Sequence, residues 1–418
     1  MGKLFYILFI RLYPLVARVL SLFNKKAGLW VKGRQQVMTR LQETFAREQR
    51  PVLWMHCASL GEFEQGRPIL EALRGNYPGY AILLTFFSPS GYEVRKNYEG
   101  ADHIFYLPMD APARARNFYD IVRPQLVLFV KYEYWYFYLR EARERKIPLL
   151  LVSGIFRPDQ AFFHWYGKFY KHMLSCFNHF FVQYKAAAQL LASIGYEHNV
   201  TVAGDTRFDR VQQIAGGFTP IEAIAQFCAG HQVIVAGSTW TEDDKTLDHY
   251  VNTRTSLRYI IAPHNIDPSR LKECCTLYKG AVLFSEWQKC GGQLESHCLI
   301  IDNIGMLSRL YAYATICFVG GGFGGDGIHN ILEAAVYEKP VVFGPVYDKY
   351  QEGTDMVALQ GAYSVSDALQ LEQLLDALLS DEVMYQAACR NAGNYVKDNT
   401  GATERIVSYI QEKRLLTS

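Results

Sequence analysis

The stretch from Trp54 to Glu62 reads WMHCASLGE, and its single carboxylate is the first candidate for chemistry in the chain. Pro51 to His56 has the apolar run of a short buried strand. Ala58, Ser59 and Gly61 are small enough for a tight turn, and Glu62 then falls in the first turn of a helix with Ile69, Leu70 and Leu73 on one face. Beyond the carboxyl end of a parallel strand is where α/β proteins bind ligands, and a carboxylate there can take a proton from a hydroxyl. A plainer reading exists, because an acidic group near a helix N-terminus gains about 0.3–1 kcal/mol from the macrodipole. Position alone leaves that plainer reading standing.

A second candidate is a loop. Residues 317–335 read CFVGGGFGGDGIHNILEAA, with a strand expected to end at Val319 and six glycines within positions 320–327. A helix is expected to begin near His329 and Asn330 and to run through Glu333. Backbone N–H groups around Gly321, Gly322 and Gly327, with the helix N-terminus behind them, suit a phosphate, and Glu333 suits ribose hydroxyls. The spacing is neither a P-loop nor a clean dinucleotide fingerprint.

Other polar residues sit at similar strand ends, each with a bland alternative. Ser238 and Thr239 suit contact with a phosphate or base, or an ordinary helix cap. His264 ends a strand and is either an anion donor or a structural histidine. Ser88 is a plausible cap, Glu133 beside Trp135 is either an aromatic-flanked cleft residue or a surface group, and Arg207 could face a cleft; taken alone, the plainer reading wins for each. Asp243 and Asp244 lack the D-x-D form and read as a solvated helix start.

Composition narrows the class. The chain has 418 residues, a net charge of +2 and 50% hydrophobic residues, which describes a folded body of two domains and points to no nucleic-acid partner. Nine scattered cysteines without C-x-x-C or H-E-x-x-H offer neither a disulfide framework nor a common zinc site. Residues 4–23 are apolar but interrupted by Arg11, Pro14 and Arg18, which suits a helix lying in a membrane interface better than one crossing it. Lys25, Lys26, Lys32 and Arg34 would then meet head groups. The alternative is a helix packed on the globular body.

From Pro51 onward, short apolar runs alternate with helical stretches in two series of seven. The first falls near 51–56, 80–86, 103–107, 125–130, 148–152, 179–183 and 199–203. The second falls near 231–237, 257–262, 281–284, 298–301, 315–319, 340–343 and 362–365. Continuous apolar strands separated by helices predict parallel sheets covered on both faces. The expected organisation is an apolar, basic segment at 1–33, a Rossmann-like domain at 34–210, a linker region at 211–230, a second Rossmann-like domain at 231–395, and a helical tail at 396–418.

Taken together the motifs form a set. ASLGE, TFFSPSG, LPMD at 107–110, YEYW, GDTRFD, AGSTW and GIHNILEAA occur in an order that resembles the bacterial 3-deoxy-D-manno-octulosonic acid (Kdo) transferases of lipopolysaccharide synthesis, over nearly the whole length. The resemblance implies an α/β protein of the GT-B fold, two Rossmann-like domains facing a central cleft, with the last helix crossing back to the first domain. It implies an inverting transfer of Kdo from CMP-Kdo to a lipid A precursor, without an essential metal or other cofactor, at the cytoplasmic face of the inner membrane. Glu62 matches the family's catalytic base. Ser238, Thr239, Gly321, Gly322, Gly327, His329, Asn330 and Glu333 match its donor-binding segments, with His264 near them. Ser59, Gly61, Ser88, Glu133 and Arg207 fall on the acceptor or cleft side. The family often has Arg after the Pro at position 263, where this chain has His264. Lys131 and Tyr136 stand where some members have Glu and Pro, and Arg207 stands in place of a frequent lysine. Two other readings are another GT-B transferase or epimerase using a UDP-sugar, and a membrane-bound nucleotide-binding scaffold without activity.

Overall fold

All six residues of Val52–Cys57 (β1) are buried, and they alternate between two cores, as a central strand of a covered parallel sheet must. In the computed structural model, which describes residues 2–325 and 327–417, β1 is followed by β2 (Ala81–Phe86), β3 (His103–Tyr106), β4 (Pro124–Val130), β5 (Leu149–Gly154), β6 (His179–Val182) and β7 (Val200–Val202). They form one sheet in the order β3-β2-β1-β4-β5-β6-β7, every pair parallel. A second sheet contains β8 (Val233–Thr239), β9 (Arg258–Pro263), β10 (Val282–Leu283), β11 (Cys298–Ile300), β12 (Ile316–Val319), β13 (Val341–Phe343) and β14 (Ala362–Ser364). Its order is β10-β11-β9-β8-β12-β13-β14, again parallel. All fourteen strands fall within a few residues of the apolar runs in the sequence.

The chain divides into two compact units, residues 1–210 with 400–418, and residues 211–399. In the first unit, Trp54, Leu83 and Phe129 point to one face of the sheet. The helices α1 (Gly2–Leu20), α2 (Lys25–Gly33) and α3 (Val37–Phe45) cover that face through Ile10, Ala17, Trp30, Val37, Leu41 and Phe45. Met55, Leu84 and Leu128 point the other way. They pack under α4 (Leu60–Asn76) and the last helix, Ala402–Glu412, whose Ile406 and Ile410 are wholly buried. Asp209 secures that last helix by accepting the backbone N–H groups of Gly401 and Thr403 at 2.6 Å each.

The region expected to be a linker is largely helical. Helix Thr206–Gly216 runs across position 210, and Glu222–Cys228 forms another whose Ile224 and Phe227 are buried in the second unit. The Gly-Gly-Phe-Thr-Pro break at 216–220 is the short turn between them. Glycine and proline there stop one helix before the next begins.

The apolar N-terminal segment is helical and half-inserted into its own unit. Tyr6 donates to Asp110 Oδ2 at 2.5 Å and accepts the Tyr136 N–H at 3.0 Å, so α1 is fastened by a buried polar contact as well as by its apolar stripe. Its other side is open: Leu4, Phe5, Leu8, Phe9, Leu12, Leu15, Val16, Val19 and Leu20 are exposed. Among the described residues, no helix is long and apolar enough to cross a membrane.

Candidate functional site

In each sheet the strand order reverses beside its first strand, between β1 and β4 in one unit and between β8 and β12 in the other. Such reversals leave a crevice beyond the carboxyl ends of the two strands. The polar residues singled out in the sequence concentrate at these two places.

In the first unit, Glu62 is the third residue of α4, which starts just after β1. Ser59 stands at the N-cap position but its hydroxyl caps nothing. The Glu62 carboxylate folds back instead and accepts the Ala58 N–H, so the helix-start reading is correct as far as it goes. It is incomplete, because Glu62 is only 9% exposed. Burial, reinforced by the charge of Glu133, pushes its pKa up to about 8, while the Ala58 amide and Lys131 pull in the other direction. A carboxyl tuned to that range is matched to proton transfer near neutral pH.

Glu133 follows β4 and is buried, not a surface group as one reading of its loop allowed. Its Oε2 accepts the Trp135 indole N–H at 2.5 Å and lies 3.0 Å from His56 Nε2. The other ring nitrogen of His56 is 2.9 Å from Thr85 Oγ1 and 3.1 Å from the Thr85 carbonyl, and Trp54 donates to the same hydroxyl at 2.8 Å. His56 and Thr85 are direct partners across β1 and β2, which is why the network forms. Sequence reasoning passed over His56. The available signal was a polar residue inside an otherwise apolar run. Lys131, between β4 and Glu133, has φ 67, a left-handed backbone that costs energy for a side-chain-bearing residue.

The remaining first-unit candidates have local roles. Ser88 caps the helix Pro89–Arg95 by accepting the Ser90 N–H. Arg207 forms an ion pair with buried Asp205 at 2.8 Å. Gly61 is already helical, and a Cβ there would meet no described atom within 4 Å, so the turn does not require a glycine. Its missing side chain leaves the surface beside Glu62 uncrowded.

The second unit builds its site around Asp243. Asp243 and Asp244 are fully buried, contrary to the solvated helix start expected of them. Helix Thr241–Thr253 has Trp240 at its N-cap, and the Asp243 carboxylate accepts the Trp240 N–H at 2.8 Å. Neither Ser238 nor Thr239 caps it. The same oxygen of Asp243 accepts the Gly321 N–H at 2.8 Å, so one carboxylate ties the turn after β8 to the glycine loop after β12. Burial raises the Asp243 pKa to about 6, against the backbone amides that hold it down. Asp244 is paired with Arg270 and accepts from Tyr278 at 2.8 Å. Thr239 is fully buried, whereas Ser238 is half-buried in a left-handed conformation, φ 55.

The glycine loop is tightly packed. A Cβ on Gly322 would lie 2.6 Å from the Gly344 nitrogen. The expected helix from His329 through Glu333 is not formed. Residues 327–330 belong to no helix or strand, with Ile328 N–H bonded to Val346 O and His329 N–H to Gly320 O at 3.1 Å each, and only Leu332–Ala335 makes a helical turn. Those amides are already satisfied by carbonyls, which is why the helix starts late. Asn330 accepts the Leu332 N–H at 3.3 Å and donates to Glu333 Oε1 at 3.0 Å. Three rings meet beside this loop in nearly parallel planes. His264 lies 4.4 Å from Trp240 and 4.5 Å from His329, and the Trp240 N–H donates to His329 Nε2 at 3.0 Å. Among the described residues, no group of His, Cys, Asp and Glu side chains is arranged to hold a metal ion.

The family model for 3-deoxy-D-manno-octulosonic-acid transferase (kdotransferase) matches residues 35–210. A 3-deoxy-D-manno-octulosonic acid transferase of Chlamydia trachomatis serovar A is 25% identical over 87% of this chain and 86% of the relative. One from Aquifex aeolicus is 28% identical over 78% of this chain and 86% of the relative. Among solved structures, UDP-GlcNAc 2-epimerase from Neisseria meningitidis, bound to UDP-GlcNAc, matches with a TM-score of 0.60 at 16% identity. It covers 87% of this chain and 100% of the epimerase. That likeness shows the fold, the GT-B arrangement of two Rossmann-like units. Over most of its length the chain is similar to 3-deoxy-D-manno-octulosonic acid transferases of lipopolysaccharide synthesis, and it is a glycosyltransferase.

Proposed function

We propose that this chain transfers Kdo from CMP-Kdo to a lipid A precursor of the lipid IVA type, with inversion, and that Glu62 is the general base. The observation that carries this reading is the Glu62 carboxyl, buried at the strand reversal of the first unit and raised to about 8. Glu62 takes the proton from an acceptor sugar hydroxyl as that oxygen bonds to the anomeric carbon. The bond from that carbon to the CMP phosphate breaks through an oxocarbenium-like state, and CMP leaves with the electron pair. In this reading the second unit holds the donor through Ser238, His264, Gly321, Gly322, Gly327, His329, Asn330 and Glu333. Ser59, Gly61, Glu133 and Arg207 belong to the acceptor side, with Ser88 shaping its loop.

The test is Glu62→Gln, assayed with CMP-Kdo and lipid IVA with the product mass read directly. Transfer is expected to fall by about 10²–10⁴-fold while CMP binding survives. Transfer at the original rate removes Glu62 from this role, and tighter binding of UDP than CMP replaces the donor with a UDP-sugar.

The lipid acceptor places the enzyme at the cytoplasmic face of the inner membrane, and we assign the contact to the exposed apolar arc of α1. Replacing Leu8, Leu12 and Val19 together by Gln is expected to abolish flotation with lipid vesicles. Undiminished flotation rejects that surface.

A further inference from the structure

A pocket of about 310 Å³ opens beside α1, lined by Pro14, Arg18, Trp30, Arg34, Met109 and Arg114 among others, with no carboxylate in its lining. Among the described residues, none of the three arginines forms an ion pair. Arg34 is the unusual member. Its guanidinium lies over the rings of Trp30, Phe87 and Tyr106 at 4.0, 4.7 and 4.9 Å. It donates to the carbonyls of Leu107 at 3.0 Å and Phe87 at 2.7 Å. A cation is thus enclosed by rings and dipoles without an anion to balance it, and burial lowers its pKa to about 9. Arg18 and Arg114 add two exposed positive charges at the same mouth.

The place of this pocket on α1 says what fills it. At helical pitch, Tyr6, Ile10, Tyr13 and Ala17 form the stripe that packs on the body, while Leu8, Leu12, Leu15 and Val19 form the exposed apolar arc. Arg11 and Arg18, seven residues apart, fall on one seam between stripe and arc. Pro14 and Arg18 carry that seam into the pocket wall. A lipid whose chains lay along the arc would present its head group at the seam.

We propose that the pocket binds a phosphomonoester head group of a membrane lipid, held by Arg18, Arg34 and Arg114. The dianion supplies the counter-charge that Arg34 lacks, planar guanidinium groups suit its oxygens, and Trp30, Pro14 and Met109 exclude water around it. This inference rests on the membrane reading of α1.

The experiment is co-sedimentation of the full chain with three vesicle types: phosphatidylcholine alone, phosphatidylcholine with phosphatidic acid, and phosphatidylcholine with charge-matched phosphatidylglycerol. Phosphatidic acid carries a phosphomonoester and phosphatidylglycerol a phosphodiester. The wild type is expected to prefer the phosphatidic acid vesicles. Arg18→Gln and Arg114→Gln are each expected to weaken that binding roughly five-fold, the ratio corresponding to about 1 kcal/mol per basic residue. Arg11→Gln, on the seam but outside the pocket, should not remove the preference. Arg34→Lys, checked for folding by its melting temperature, keeps the charge and should lose the preference because an ammonium lacks the planar fork. Equal binding to the two anionic vesicles, or equal losses from Arg11→Gln and Arg18→Gln, would overturn the pocket while leaving the membrane contact intact. Failure to bind any vesicle would overturn both.

Discussion

His56 Nε2 lies 3.0 Å from Glu133 Oε2, which joins the end of β1 to the turn after β4. The opposite ring nitrogen faces the Thr85 carbonyl, which can only accept, and the Thr85 hydroxyl, which already receives the Trp54 N–H. His56 touches no reacting atom in this arrangement and acts as a positioning residue for Glu133.

Replacing Glu133 by Gln removes the second-largest cause of the raised Glu62 pKa. The midpoint of the transfer-rate profile against pH, expected near 8 in the wild type, should move to lower pH. Rates rise with pH through that midpoint because the ionised carboxylate is the base. A profile that stays in place would show that Glu62 does not feel Glu133. The companion change His56→Phe removes the ring's hydrogen bonds to Glu133 and Thr85, leaving each of those side chains with its indole donor, and should cost about 1–3 kcal/mol in denaturant unfolding.

Stability itself should fall with rising pH. Glu62 is raised from 4.5 to about 8, and Asp110 and Asp243 from 3.8 to about 6. Each holds a proton in the folded chain that the unfolded chain has released, so each contributes stability that is lost as pH climbs through the folded value. The slope is at most about 1.4 kcal/mol per pH unit for one group. Melting temperatures between pH 6 and 8.5 should decline, and Glu62→Gln should flatten the upper part of that decline. Parallel curves for the two proteins would contradict it. Glu48 and Asp102 are shifted downward, so their contributions change only in more acidic solution.

Asp243→Ala should unfasten the glycine loop. The Trp240 and Gly321 amides both lose their charged acceptor. The expected loss is about 2 kcal/mol or more of stability, with CMP binding weakened in the protein that still folds. Calorimetric titration with CMP at a temperature below the lowered melting point reads the second effect. Undiminished affinity would separate the loop's geometry from donor binding.

Gly322→Ala should be among the costlier glycine substitutions. Its Cβ would fall 2.6 Å from the nitrogen and 2.8 Å from the Cα of Gly344, backbone that cannot swing aside. Overpacking of this kind costs about 1–3 kcal/mol. Gly75→Ala, in the last turn of α4 with nothing described within 4 Å, is the control and should be neutral or slightly stabilising. Equal melting temperatures for both variants would refute the close approach.

The central strands were legible because each is largely an apolar run, and burial on both faces demands nothing subtler, whereas β7, β10 and β14 are only partly buried. The helix-start position of Glu62 was legible for a similar reason, since small residues between a strand and a helix announce a turn. What burial does to a polar residue was less legible. The fate of Asp244 depends on Arg270 and Tyr278, which lie far along the chain, and no local pattern says that these three meet. The apparent helix at His329 was a fair reading of its residues, overridden because the glycine loop and Val346 claim its first amides. The helices across residues 211–228 were hidden by the glycine pair at 216–217, which marks a break between two helices rather than an unstructured connection.

Tyr6 joins Asp110 to the amide of Tyr136, and Tyr136 adjoins the Trp135 whose indole holds Glu133. The first helix is therefore not a detachable tag. A chain lacking it would lose the Tyr6 contacts to Asp110 and to the Tyr136 amide, and with them the support of the turn that carries Glu133, so the effect of such a truncation on activity would say nothing about lipid. Evolution faces the same restriction: a lineage cannot exchange this helix for another without rebuilding the turn that carries Glu133.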